Sequence, residues 1–307
     1  MKGKKITALL LTAAFASAAA IGLAACGGDS TPTGGGDNSG LKTGGWNDFT
    51  HTYTDNTGAE VNLAYSLYVP TVYDGKKDLP LVTYIPDATI SAVARTKTAQ
   101  CPKYWKGHDS SLILILTSDK LGNDPTDTTT QGGQIVPIID KLCQDYAIDS
   151  SRLYLTGQSK GGIYDFALNE AYPTKFAATV YVSCQMGGDV GDAQYNRILQ
   201  GETWANQNFV YIASKLDEKA PYGQKAIMDA LDAKGTDYGY LTDLDHKDIS
   251  ATSDLIKAEL DKGNKNNIFQ FKQVTANGDG AQEHMQGFQY GYMVDSIYDW
   301  LMAQKKA

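Results

Sequence analysis

Two short runs, Leu81-Val82-Thr83-Tyr84-Ile85 and Leu112-Ile113-Leu114-Ile115-Leu116, restrict this chain more than any other feature. Both are apolar almost throughout, which fits strands covered on both faces, as in a mostly parallel sheet. Before them Val61, Leu63, Tyr65, Leu67 and Val69 alternate with Asn62, Ala64, Ser66 and Tyr68, the period of a half-buried strand. Ile135, Ile138, Ile139, Leu142 and Tyr146 then recur at helical spacing, with Pro137 tolerable only in the first turn. The alternation continues with a strand from Arg152 to Thr156, a helix from about Gly161, and strands Thr179 to Val182 and Phe209 to Ala213. Helices follow around Lys225 to Ala233 and Ser253 to Lys262, then a strand from Ile268 to Val274. A terminal helix carries Met293, Val294, Ile297, Tyr298 and Leu301 on one face. Strands alternating with helices predict an α/β fold with helices on both sheet faces.

The first 25 residues read as an address rather than as structure. Lys2, Lys4 and Lys5 precede an apolar run from Ile6 to Ala25, the layout of an export signal. Its ending, Leu23-Ala24-Ala25-Cys26-Gly27, resembles the lipobox of bacterial lipoproteins, which implies acylation of Cys26 as the mature N-terminus. Residues 26–45 hold eight Gly with Ser, Thr, Asp and Asn; such a stretch cannot bury apolar area and predicts a flexible tether. No internal repeat or second linker follows Gly45, so residues 46–307 are expected to form one domain. The expected location is the exported face of a bacterial membrane, held by the lipid on Cys26.

Composition excludes several classes. The 307 residues carry 35 acidic against 27 basic side chains, a net charge of −8, which argues against a nucleic-acid partner. Four Cys, none in a CxxC or Cys/His cluster, predict no metal site. Cys101, Cys143 and Cys184 leave room for at most one disulfide, and Cys143 and Cys184 read better as small buried residues. The Asp-rich stretch from Asp119 to Asp127 lacks a calcium-loop pattern and contains Lys120, so it reads as a solvated loop. No cofactor is called for, and a monomer is expected.

The chemistry sits in Gly157-Gln158-Ser159-Lys160-Gly161, a G-x-S-x-G motif directly after a strand and before a helix. A sharp turn there exposes the Ser159 hydroxyl near a helix N-terminus, whose partial positive charge favours a developing oxyanion. The Lys160 backbone N–H is one expected oxyanion donor. A serine hydroxyl needs a base. Of four His, His246 and His284 are the candidates; His284, expected in a loop between the Ile268 to Val274 strand and the terminal helix, fits the order Ser, acid, His. Asp217 is the expected acid, four residues after the Phe209 to Ala213 strand, with Glu218 beside it as the alternative.

These residues resemble the α/β-hydrolase superfamily. More narrowly they resemble its predicted peptidases, feruloyl esterases and polyhydroxyalkanoate-depolymerase-like extracellular serine hydrolases. The likeness is carried by Tyr65 through Pro70, Ile148 through Gly162, Asp217 through Pro221, and His284 with Tyr298-Asp299-Trp300-Leu301. It implies Ser159, Asp217 and His284 as nucleophile, acid and base. Two departures stand out. Where that group often has His-Gly, this chain has Pro86-Asp87-Ala88, so the second oxyanion N–H falls to Asp87 or Ala88. After the nucleophile stands Lys160 instead of an apolar residue, and a cation there favours acidic substrates. Trp105, Phe288, Tyr290 and Tyr292 are candidates to line a cleft and stack on sugar or aryl rings. The expected activity is a serine esterase acting on esterified polysaccharide or similar acyl esters. A peptidase of the same fold and a non-catalytic glycan- or solute-binding lipoprotein are the alternatives.

Overall fold

The computed structural model describes residues 40–184 and 204–306. The export signal, Cys26 and the tether up to residue 39 lie outside the described residues. Nine strands form a single sheet in the order β1-β2-β4-β3-β5-β6-β7-β9-β8. In chain order these are β1 (Gly45–Thr54), β2 (Glu60–Val69), β3 (Leu79–Ile85), β4 (Leu112–Ile115), β5 (Ile148–Gln158), β6 (Ala178–Val182), β7 (Phe209–Ser214), β8 (Tyr238–Leu244) and β9 (Asn266–Phe271). β1 pairs antiparallel with β2, and β2 with β4; all the pairings beyond are parallel. β3, apolar but for Thr83, and the wholly apolar β4 lie inside the sheet with every residue buried. That is what two covered faces demand.

Eight α-helices occur among the described residues: α1 (Val93–Thr96), α2 (Gln100–Trp105), α3 (Ile135–Asp145), α4 (Lys160–Ala171), α5 (Ala220–Lys234), α6 (Ile249–Leu260), α7 (Gly280–Met293) and α8 (Asp295–Ala303). Alternate strand residues feed two opposite cores. On one face Leu81, Ile85, Leu112, Leu153 and Leu155 pack with Ile135, Ile139 and Leu142 of α3 and Leu168 of α4. Tyr181, Phe209 and Tyr211 continue that face against Phe166 of α4 and Ile227 and Leu231 of α5. On the other, Val82, Tyr84, Tyr154, Val180, Val210 and Ile212 meet Trp105 of α2, Ile256 of α6, Tyr292 of α7 and Leu301 of α8. The sheet is thus sandwiched between helical layers, as the α/β reading expected.

Several elements depart from expectation: the expected terminal helix is split at Val294, with Met293 closing α7 and Asp295 opening α8. β1 and β8 are edge strands whose sequences show no continuous apolar run, and α7 occupies a stretch read as a loop. The thiols of Cys101, Cys143 and Cys184 are free; Cys101 and Cys184 are buried and Cys143 only partly so. In the Asp119 to Asp127 stretch, Asp124 and Asp127 each accept hydrogen bonds from a threonine two residues on, the geometry of tight polar turns.

Candidate active site

β5 ends in a corner. Ser159 holds φ 50° and ψ −120°, outside the regions comfortable for an L-residue. The conformation is fixed from both sides: Ser159 N donates to Val182 O at 3.0 Å, and Ser159 O accepts from Ile163 N at 3.1 Å. The neighbouring glycines are there because nothing larger fits. A Cβ on Gly157 would lie 2.4 Å from the Gly161 carbonyl carbon, and one on Gly161 would lie 2.0 Å from Ile85 O. α4 therefore starts jammed against the ends of β3 and β5, with the Ser159 side chain partly exposed at its N-terminus.

The other two side chains come from neighbouring strand ends. Asp217 follows β7 and is 4 % exposed. Its Oδ1 accepts from the Lys219 and Ala220 backbone N–H groups at 2.8 and 3.0 Å, which tethers it to the first turn of α5. Its Oδ2 lies 2.8 Å from His284 Nδ1. His284 Nε2 is in turn 3.0 Å from Ser159 Oγ. Glu218, the alternative acid, is exposed, and the contacts to His284 run through Asp217 and Ser159. His246 instead meets Tyr290 edge-on at 4.8 Å between ring centroids.

His284 lies on a helix and not in the expected loop. It stands in the second turn of α7, and two glycines let that helix lie close on the sheet. A Cβ on Gly287 would sit 2.9 Å from Ser183 Oγ, and one on Gly291 would sit 2.8 Å from Val182 Cγ1. The imidazole must reach from the end of β9 across β7 and β6 to β5, three strand spacings or about 14 Å. A close-lying helix bridges that gap where an extended loop would leave the ring loosely held.

Glu283, unassigned by sequence reasoning, anchors the start of this helix. It is fully buried and takes hydrogen bonds from Val274 N and Thr275 N, both 2.8 Å, from Thr275 Oγ1 at 2.5 Å, and from Ser214 Oγ. Burial alone would raise its pKa, but the bonds from Ser214, Thr275 and Val274 outweigh it and hold the carboxyl below its ordinary range. The residue joins the ends of β7 and β9 to the turn that carries His284. A lone Glu before a His carries no such signal in sequence.

The expected oxyanion loop abuts the corner. Asp87 and Ala88 follow β3, next to the Ile85 and Pro86 carbonyls that crowd Gly161. The Asp87 carboxylate is occupied: Oδ1 accepts from Thr89 N at 2.8 Å and Oδ2 from Gln158 Nε2 at 2.7 Å. Lys160 points its ammonium to Ser118 O at 3.0 Å. Three of the four expected cleft aromatics, Trp105, Phe288 and Tyr292, are elsewhere. Trp105 is 1 % exposed, packed edge-on against Tyr292 and Tyr298, and belongs to the core. Phe288 is 2 % exposed and backs the His284 ring at 5.0 Å. The reason is the helix: residues 284, 288 and 292 share its inward face, so Phe288 and Tyr292 turn to the core. Tyr290 is half-buried between His246 and Phe271.

Beneath the corner lie two buried groups. Cys184 packs under Gly162, and burial pushes its thiol pKa far up, so it is no rival nucleophile. Asp165 of α4 is fully buried, with neither carboxyl oxygen hydrogen-bonded among the described residues. Burial raises its pKa well above the carboxylate range and keeps it protonated.

No family model matches the chain, and no curated protein does. Solved structures do. A thermostable esterase aligns with TM-score 0.54 and 19% identity over 84% of this chain and 63% of its own. The chain has the α/β-hydrolase fold. A CE1 ferulic acid esterase from Anaeromyces mucronatus (TM-score 0.51, 12% identity, 84% of this chain and 94% of that one) shares that fold. So does an S-formylglutathione hydrolase from Agrobacterium tumefaciens (0.51, 13%, 83% and 94%). Against the thermostable esterase the chain spans less than two thirds of the other protein's length. Within the α/β-hydrolase fold, Ser159, Asp217 and His284 stand after β5, β7 and β9, at the carboxyl ends of parallel strands.

Proposed function

We propose that this protein is a serine hydrolase that cleaves carboxylic esters through an acyl-enzyme. The observation that carries the reading is the continuous path Asp217 Oδ2, His284 Nδ1, His284 Nε2, Ser159 Oγ at 2.8 and 3.0 Å. In this reading His284 Nε2 takes the Ser159 proton as Oγ bonds to the ester carbonyl carbon. Backbone N–H groups of Lys160 and of Asp87 or Ala88 receive the oxyanion. The carbon–oxygen bond to the alcohol then breaks, and His284 returns its proton to the departing alkoxide. Water repeats the sequence on the acyl-enzyme: its proton passes to His284 and on to Ser159, releasing the acid. Asp217 holds the imidazole with Nε2 free and stabilises the imidazolium.

A thermostable esterase, a ferulic acid esterase and an S-formylglutathione hydrolase share this fold, which supports an ester before an amide. Esters decorating a polysaccharide are the substrate we favour. In the same reading Cys26 is acylated and the tether holds the domain at the outer face of a bacterial membrane. The test is turnover by purified protein of acetyl, feruloyl and peptide libraries. Ester hydrolysis with little amide cleavage supports the reading; amide turnover above ester turnover converts it to a peptidase, and no turnover by folded protein leaves a binding role. Acylation is tested separately by metabolic labelling with an alkynyl fatty acid, which Cys26→Ser should abolish.

A further inference from the structure

In a chain of net charge −8, most basic side chains that hold a hydrogen-bond acceptor among the described residues are tied to carboxylates, as in Lys97–Asp48 and Arg152–Asp149. Lys160 and Arg95 are not. Lys160, the residue after Ser159, is exposed, and its ammonium donates to the Ser118 backbone carbonyl at 3.0 Å. Ser118 Oγ donates onward to Asp87 O at 2.6 Å, so this cation is braced against the turn that follows β3. On the same turn the exposed Arg95 places Nη1 3.4 Å from Thr89 O. Neither is ion-paired with a carboxylate of the described residues.

An ammonium has three donors and a guanidinium five; only one of each is used here, and on a neutral carbonyl. Asp87, the carboxylate within the turn, forms no direct ion pair with either. It is 4 % exposed, and its oxygens are taken by Thr89 N, Thr89 Oγ1 and Gln158 Nε2. Two cations without a direct carboxylate partner among the described residues thus border the turn that follows β3, one of them a single residue from Ser159. A structural role would be met by the carbonyl contacts alone and gives no reason to keep a positive charge there.

We propose that Lys160 and Arg95 form an anion-binding rim that selects esters carrying a carboxylate close to the scissile carbonyl. The inference rests on Ser159 being the nucleophile and names the substrate class for that site. The carboxylate's source is open to either side of the ester, and the experiment separates the two.

The test compares matched ester pairs with wild-type protein. 4-Nitrophenyl hemisuccinate against 4-nitrophenyl butyrate places the charge on the acyl side; 4-acetoxybenzoate against its methyl ester places it on the alcohol side. In at least one pair the anionic member should have kcat/KM higher by about tenfold, the scale of one charge-assisted hydrogen bond at a partly exposed site. The gap should sit mainly in KM and shrink in about 0.5 M salt. Lys160→Gln should bring the ratio within the pair close to one, Arg95→Gln should reduce it, and Lys160→Arg should keep it. Reading a ratio cancels any general loss of activity in a variant. Equal rates within both pairs, or a preference untouched by Lys160→Gln, would overturn the inference and leave the esterase reading standing. No turnover of any of the four esters would overturn both.

Discussion

Ser159 is the residue on which local strain and chemistry meet. Its left-handed φ of 50° is tolerable only because Gly157 and Gly161 let β3, β5 and α4 close around it. Gly161→Ala forces a Cβ to within 2.0 Å of Ile85 O, and should cost about 2–4 kcal/mol of stability in denaturant melts, with activity falling in the folded fraction as well. Asp217→Asn keeps the acceptor that caps α5 but turns the wrong face to His284 Nδ1; kcat should fall by about 10⁴ with KM little changed. Asp165 makes a prediction about pH. Unfolded, its carboxyl titrates in the ordinary range; folded, burial holds the proton on. The native state then binds more protons than the unfolded one above that range, so stability is complete in acid and drains away as pH rises toward the folded pKa. Asp165→Asn removes that slope. Its melting temperature should gain on the parent's between about pH 5 and pH 8; a constant offset would contradict the assignment.

At the scale of elements, α7 explains both what could be read in advance and what could not. The apolar runs of β3 and β4, the period of β2 and the spacing of α3 are written in side-chain pattern, and the structure follows them. β1 and β8 are edge strands with alternating or exposed residues, and their place comes from long-range pairing that no local pattern encodes. α7 carries Gly280, Gly287 and Gly291, which lower helix propensity and made it read as a loop. Gly287 and Gly291 serve close packing on β6 and β7 instead. That one misreading also misplaced Phe288, since only a helix turns residue 288 to the same side as 284. Ser159, Asp217 and His284 could be named from motif and chain order; Glu283 could not, because its worth lies in Ser214, Val274 and Thr275 converging on it. Glu283→Gln should leave one of those buried donors without an acceptor, at about 1–3 kcal/mol, and let the imidazole drift. Steady-state kinetics should show kcat falling with KM nearly constant; a fall in melting temperature alone would make Glu283 structural only.

Over the whole molecule, the parallel order β5-β6-β7-β9 aligns three strand ends on one edge, and Ser159, Asp217 and His284 sit there because strand direction and connection place every such loop on that side. The opposite arrangement holds for Trp105. Sealed among Tyr292 and Tyr298, it joins α2 to α7 and α8 in one core, so Trp105→Ala should destabilise by about 3–5 kcal/mol while KM of the folded protein stays unchanged; a raised KM would restore it to the cleft. The proposed hydrolysis requires the Ser159 oxygen to be activated by the neighbouring His284. Labelling with a fluorophosphonate followed by peptide mapping tests this most directly. One phosphonyl group per molecule on Ser159, absent in Ser159→Ala and strongly slowed in His284→Ala, is the expected result. A folded protein that takes no label, or takes it elsewhere, would contradict the account.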